Sequence, residues 1–390
     1  MKKFFAILMA VLMAVSMFAA CSSSGSEAEV EGNVLKIGMT GPLTGPYAEY
    51  GTAVEASIEI AVEEINAAAE ANGGLKLAFK SEDDEGDGEK AVAGYNRLKD
   101  WGLDAFVGTV TSGACNAVAP EAVNDGIFLL TPSASAPEVA TAGDNTYQMC
   151  FTDPNQGASA AEVINVNWPD AVIGVIYDSS DDYSSGLYQG FMKKANEMGL
   201  DVVVETSFTK DTKSDLSTQV TQCKDAGATL MFLPIYYSEA SQILTYANKI
   251  GYAPTFFGCD GMDGILGVEG FDVALAEGLS LMTPFDANAT DEATVSFVTK
   301  FKAKMNGLVP NQFAADGYDC IYAIYNACVA MGITGETPAD EACALVCEWF
   351  NTTEGFDGLT GKGMTWDAEG MISKIPAAVV VENGIYVPMG

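Results

Sequence analysis

One rhythm limits what this chain can fold into: short apolar runs alternate with longer amphipathic stretches, and the whole alternation occurs twice. In the first half "VLKIGM" (Val34–Met39), "LKLAFK" (Leu75–Lys80), "AFVG" (Ala105–Gly108) and "IFLL" (Ile127–Leu130) read as buried strands. Between them, Val54–Ala71, Glu89–Asp100 and Asn116–Asn124 read as helices. The pattern restarts with strands at Ala171–Tyr177, Asp201–Phe208, Thr229–Ile235 and Thr255–Gly258, separated by helices at Tyr183–Met198, Leu216–Ala226 and Glu239–Ile250. Strands and helices in this order predict parallel sheets covered on both faces. Two α/β lobes of comparable size suit 390 residues better than one oversized sheet. The block Asp291–Phe350 reads as largely helical, and strands return at "KGMTW" and "AAVVVENGIYV". Pro and Gly cluster without periodicity near Thr152–Gly157 and Thr283–Asn288, where the chain is expected to cross between lobes.

Two absences narrow the chemistry. The chain has no histidine, and Arg97 is its only arginine. A Ser-His-Asp or Cys-His site therefore lacks its base, and no G-x-S-x-G is present to support other nucleophilic chemistry. The expectation is a protein that is not an enzyme and needs no cofactor. A formal net charge of −34 excludes nucleic acid as a partner. It gives solubility without naming a ligand. Residues 1–20 read as an export signal: Lys2 and Lys3 precede the apolar run Phe4–Ala19, which is too short to span and has no stop-transfer pattern after it. "AAC", ending in Cys21, resembles the lipobox of bacterial lipoproteins, although Phe18 stands where that pattern prefers Leu. A lipidated Cys21 would anchor the protein outside the cytoplasm, at the cell surface or in the periplasm, with residues 21–33 as a flexible tether. Eight further cysteines sit mostly in apolar surroundings and read as buried thiols rather than a disulfide framework. Cys343 and Cys347 lie one helical turn apart, a weak zinc pattern without histidine, so no metal is expected. "DDEGDGE" (Asp83–Glu89) fails as a calcium loop because Gly94 stands where the bidentate Glu belongs.

In open α/β sheets a ligand sits beyond the carboxyl ends of the strands. That rule points to Gly41–Tyr50, Thr109–Ala114, Thr131–Ser135, Asp178–Tyr183, Tyr236–Tyr237 and Gly258–Gly261. "TVTSGA" and "TPSASAPE" supply hydroxyls and free backbone N–H groups, a set of neutral donors suited to a carboxylate. The same serines serve equally well as helix caps. "GCDGMDG" sets Asp260 between glycines, where a carboxylate suits an ammonium group or simply makes a turn. Tyr50, Tyr183 and Tyr236 offer aromatic walls, or lobe packing. An anion site, a cation site and aromatic walls together describe a free α-amino acid.

Seven stretches carry a family likeness in order, over residues from about 34 to 382. They are "KIGMTGPLTGPYAEYG", "AFVGTVTSGACNAVAPEAVNDGIFLLTPSASAPE", "VIYDSSDDYSSGLYQGF", "IYYSEASQIL", "FFGCDG", "AADGYDCIYAIYNA" and "GLTGKGMTWDAEG". The chain resembles the leucine/isoleucine/valine-binding proteins of ABC transporters. The resemblance implies the type I periplasmic binding fold: two Rossmann-like lobes with parallel central sheets, joined by a three-crossover hinge and closing on the ligand. Lobe 1 would comprise residues 34–153 plus 284–370, and lobe 2 residues 154–283 plus 371–390. It implies that Ser112, the backbone at Ser133 and the side chain of Ser135 hold the α-carboxylate and part of the ammonium. Asp260 would take the α-ammonium, and Tyr183 and Tyr236 would line the pocket. Tyr50 replaces the Trp of some members, and Gly86 and Thr111 replace a lobe 1 disulfide of some relatives. The implied function is capture of a neutral, branched-chain aliphatic L-amino acid by a monomer that delivers it to an ABC permease and its ATPases. The alternatives are another small solute, such as an aromatic amino acid, an amide or a urea-like compound, or a ligand sensor without transport.

Overall fold

A computed structural model describes residues 33–389. The expected export signal, Cys21 and nearly all of the tether lie outside these residues. The first sheet contains β1 (Val34–Gly41), β2 (Lys76–Asp83), β3 (Ala105–Val107), β4 (Phe128–Thr131) and β5 (Thr146–Gln148). Its order is β2-β1-β3-β4-β5, all parallel. The second holds β6 (Val172–Asp178), β7 (Asp201–Phe208), β8 (Leu230–Leu233), β9 (Thr255–Gly258), β10 (Ser280–Thr283), β11 (Ala377–Glu382) and β12 (Ile385–Pro388). Here the order is β12-β11-β10-β9-β8-β6-β7, with β6 to β10 parallel and β11–β12 an antiparallel hairpin beside β10. Each parallel set starts on an inner strand, adds one neighbour on one side, then grows on the other. Both sheets therefore have a switch point beside their first strand, β1 and β6.

The short central strands are apolar because they have no solvent face. β3 and β4 are buried at every position, as a sheet with helices on both sides requires. Val107 and Leu130 pack with the helices Ala48–Asn72 and Gln312–Met331, while Phe106 and Leu129 pack with Gly88–Trp101 and Ser112–Asp125. Gly38 permits this closeness: a Cβ there would stand 2.6 Å from Leu103 Cδ1. The second sheet repeats the arrangement. Ile173, Val175 and Phe232 meet Leu187 and Phe191 on one face, and Met231 and Leu233 meet Ile243 and Leu244 on the other.

Several expectations need correction. "KGMTW" is not a strand; that region makes only single bridges, Phe356 to Met364 and Trp366 to Ile372. Within Thr152–Gly157 the helix Asp153–Asn167 begins, on the stretch that leads from β5 of the first sheet to β6 of the second. Its Pro sits in the first turn, where a missing N–H costs nothing. The helices expected to begin at Val54 and Asn116 begin at Ala48 and Ser112. No side-chain hydrogen bond caps either one, so no local signal marks the start. β5 and β10 were not foreseen; they are three and four residues long. All eight cysteines after Cys21 are free thiols, seven of them buried. Arg97 lies on the surface, paired with Glu82 at 2.7 Å.

Candidate functional site

The carboxyl ends of both sheets converge on one small cavity of about 10 Å³. From the first sheet come Tyr50, Val110, Thr111, Ser112 and Ser133; from the second come Tyr183, Tyr236, Asp260 and Gly261. Phe313, at the start of the helix Gln312–Met331, completes the wall. Six of the seven residues singled out from sequence thus meet at one place. Ser135 does not line the cavity.

The first-sheet side is built of neutral donors. Thr111 stands at the N-cap position of the helix Ser112–Asp125 without a side-chain bond to it, and the helix's first-turn N–H groups have no partner within the helix. Ser112 is buried, and its Oγ accepts the N–H groups of Ser135 (3.1 Å) and Ala136 (3.2 Å). With its lone pairs occupied, this hydroxyl has its proton left to give. That bond also explains where Ser135 sits: its backbone supports Ser112 from behind, and its own buried hydroxyl faces Asp153. Ser133 spends its hydroxyl on the Val110 carbonyl at 2.7 Å, and its N–H donates to the Thr131 hydroxyl at 3.3 Å.

The second-sheet side centres on Asp260, buried in a 3₁₀ turn just after β9. Its Oδ1 accepts the Tyr183 hydroxyl (2.6 Å) and the Gly261 N–H (2.9 Å). Its own N–H donates to Gln156 Oε1 at 2.8 Å. No lysine or arginine pairs with it among the described residues, and burial pushes its carboxyl up to about 6. Asp153, also buried, faces the Ser135 hydroxyl and is pushed well above the usual carboxylate range by burial. Gly261 has to be glycine, because a Cβ would stand 2.6 Å from the Tyr183 hydroxyl.

Tyrosines fill the space between. Tyr183 and Tyr236 stack at 4.8 Å, and Tyr47 tilts onto Tyr236 at the same distance. Tyr50 donates to the Gly261 carbonyl and accepts the Tyr237 N–H, joining a helix of the first sheet to two segments of the second. At the rim, Lys213 donates to the Tyr47 oxygen at 2.6 Å and pairs with Glu239 at 2.9 Å, and the Tyr47 hydroxyl donates to Glu239 at 3.3 Å. Asn116 reaches Asp182 at 2.8 Å. The cleft is shut in this conformation, with room for about one water.

Sequence reasoning missed Phe313; Val110, Thr111 and Tyr47 fall inside the strand-end stretches it pointed to without being singled out. Phe313 falls one residue before the quoted "AADGYDC", and its only signal is the Asn311 cap that starts its helix.

Two sheets of like topology, with opposed polar groups at their shared carboxyl ends, define a two-part solute-binding protein. Residues 34–384 match the periplasmic binding protein family, and the chain belongs to that family. The chain is 29% identical over 354 residues to the leucine-, isoleucine-, valine-, threonine-, and alanine-binding protein of Pseudomonas aeruginosa, covering 89% of this chain and 91% of that one. It is 31% identical over 246 residues to Leu/Ile/Val-binding protein homolog 3 of Brucella melitensis, covering 63% of this chain and 65% of that protein. Among solved structures, it is similar to the branched-chain amino acid transporter substrate-binding protein of Streptococcus pneumoniae in complex with isoleucine. That likeness has a TM-score of 0.80 at 26% identity, over 90% of this chain and 97% of the other. A leucine-binding protein of Thermotoga maritima gives 0.78 at 25%, over 91% and 98%.

Proposed function

We propose that the cleft captures a neutral L-amino acid, with a branched aliphatic side chain, and releases it unchanged to an ABC permease and its ATPases. The observation that carries this reading is the division of the polar groups: neutral donors around Ser112 on one side, and a buried carboxylate without a cation, Asp260, on the other. A zwitterion supplies what each side lacks. The backbone at Ser133 completes the carboxylate end, with Ser135 holding Ser112 from behind, while Tyr50, Tyr183, Tyr236 and Phe313 surround the side chain. Branched-chain identity is supported by the names of the relatives and by the isoleucine in the pneumococcal structure.

The working unit in this reading is a monomer whose lobes, 34–153 plus 284–370 and 154–283 plus 371–390, part to admit ligand. A lipid on Cys21 tethers it outside the cytoplasm. Its turnover of ligand is nil, in keeping with a chain that lacks histidine.

Calorimetric titration tests the reading. Leucine, isoleucine and valine bind, and 4-methylpentanoate, which is leucine without its amino group, does not. If the des-amino acid bound as tightly as leucine, the site would be one for simple acids. If an amide, a urea-like solute or an aromatic amino acid bound more tightly than leucine, the branched-chain assignment would fall. A ligand sensor rather than a transport protein would be indicated if the loaded protein failed to stimulate the cognate permease–ATPase complex.

A further inference from the structure

A second cavity, of about 330 Å³, opens beside the cleft and shares none of its lining. Its size is that of small-molecule sites, which run from about 300 to 1,000 Å³. It lies where three parts of the fold meet: the first turn and a half of the helix Ala48–Asn72, the loop after the 3₁₀ turn that carries Asp260, and the β12 end of the hairpin. The connecting segment Thr283–Asn288 forms its floor. The body is apolar, with Leu266, Phe285, Phe301 and Met305 inside, and Leu308, Val309 and Ile385 at the mouth. Those last three are 48%, 58% and 53% exposed, an unusual concentration of bare aliphatic surface.

The charge inside is of one sign. Glu49 and Asp263 line the cavity, and no lysine or arginine does. Asp263 is buried; it accepts the Gln312 N–H at 2.8 Å and also faces the Gly264 N–H and the Tyr386 hydroxyl. Burial pushes it up to about 7 and also raises Glu49, with no cation opposing the shift in either case. The Tyr386 hydroxyl on the wall lies against Asp263, and Gln312 Nε2 is buried without a hydrogen-bond partner. Two carboxylates in an apolar chamber are costly unless a donor of positive charge enters.

We propose that this cavity is a second ligand site, separate from the cleft, for a small organic ammonium ion with an apolar alkyl or aryl body. The ammonium sits between Asp263 and Glu49, the Tyr386 oxygen accepts a further N–H, and the body lies against Phe285, Phe301 and Met305. The proposal does not depend on the identity of the cleft ligand.

The probe is 2-phenylethylammonium, with 2-phenylethanol as its uncharged counterpart, on full-length mature protein carrying 13C-methyl methionine. The Met305 methyl resonance, assigned through Met305→Leu, reports the site directly. The ammonium is expected to shift that resonance saturably, at a concentration about tenfold lower than the alcohol needs. Asp263→Asn with Glu49→Gln should erase the preference, the isosteric amides keeping the acceptor for the Gln312 N–H. Val309→Trp, a change at the exposed mouth, should block both probes while leaving the leucine titration unaltered. The proposal is overturned if the alcohol binds as well as the ammonium, if Met305 does not respond, if the amide variants keep the preference, or if saturating leucine displaces the probe.

Discussion

Replacing Asp260 by Asn should do two opposite things, and their pairing tests the electrostatic reasoning at the site. In the ligand-free fold the carboxyl is lifted from 3.8 to about 6 by burial. At about 1.36 kcal/mol per unit, this corresponds to about 3 kcal/mol of unfavourable charge burial near pH 7.5. The native state binds the extra proton more readily than the unfolded chain does. Stability is therefore lost as pH rises through about 6, and below about 4 both states are protonated and the difference vanishes. Asn keeps an oxygen for the Tyr183 hydroxyl and the Gly261 N–H while removing the charge. The ligand-free variant should therefore be more stable than wild type near pH 7.5, by up to about 3 kcal/mol, and equal to it near pH 4. Leucine affinity should fall by about 100-fold, because the ammonium no longer relieves a buried anion. Urea unfolding at the two pH values and calorimetric titration with leucine measure both effects. A variant that is less stable and binds leucine as tightly as before would refute the reasoning.

The remaining expectations follow from the same geometry. Leucine affinity should be constant above about pH 6 and fall by about tenfold per unit below it, since a proton on Asp260 competes with the ammonium; flat affinity down to pH 4.5 or so would contradict this. Tyr47→Phe removes the hydroxyl held between Lys213 and Glu239, and should raise the ligand dissociation rate by about fivefold, or about 1 kcal/mol, in a stopped-flow chase. Because the shut cleft has room for about one water, the observed binding rate should level off as leucine increases, with opening as the ceiling; a rate linear to millimolar leucine would show entry without opening. Gly261→Ala drives a methyl into the Tyr183 hydroxyl and should abolish measurable binding while the near-native Tm survives.

The repeated strand–helix rhythm was legible because a strand buried on both faces has to be apolar throughout, and β3 and β4 are. β5 and β10 escaped notice because Thr146–Gln148 and Ser280–Thr283 contain polar residues that are buried in the fold rather than exposed to solvent. The start of the helix at Ala48 was hidden for a related reason. Tyr50 is buried against Tyr237 and Phe313, more than a hundred residues away, which no local window contains. At the site, Ser112 and Asp260 stood out because a hydroxyl at a helix start and a carboxylate between glycines each announce a chemistry. Ser135 was placed one layer too far forward, since a serine's neighbours in sequence do not say whether its hydroxyl or its N–H is the working group. Phe313 carried no chemical label at all; only the fold brings the head of its helix to the strand ends.

The division of polar groups between the two sheets makes the ligand a structural strut. On the proposed reading, a molecule bearing both charges would be held at one end by the Ser112 side and at the other by Asp260, and would tie the halves together across its own length. A molecule with the acid alone can dock on the first half and leave the second with nothing to grasp. It would occupy the entrance, exclude the proper solute, and yet leave the jaws apart. For a carrier read by its partner through its closed outline, such a compound is a blocker rather than a poor cargo.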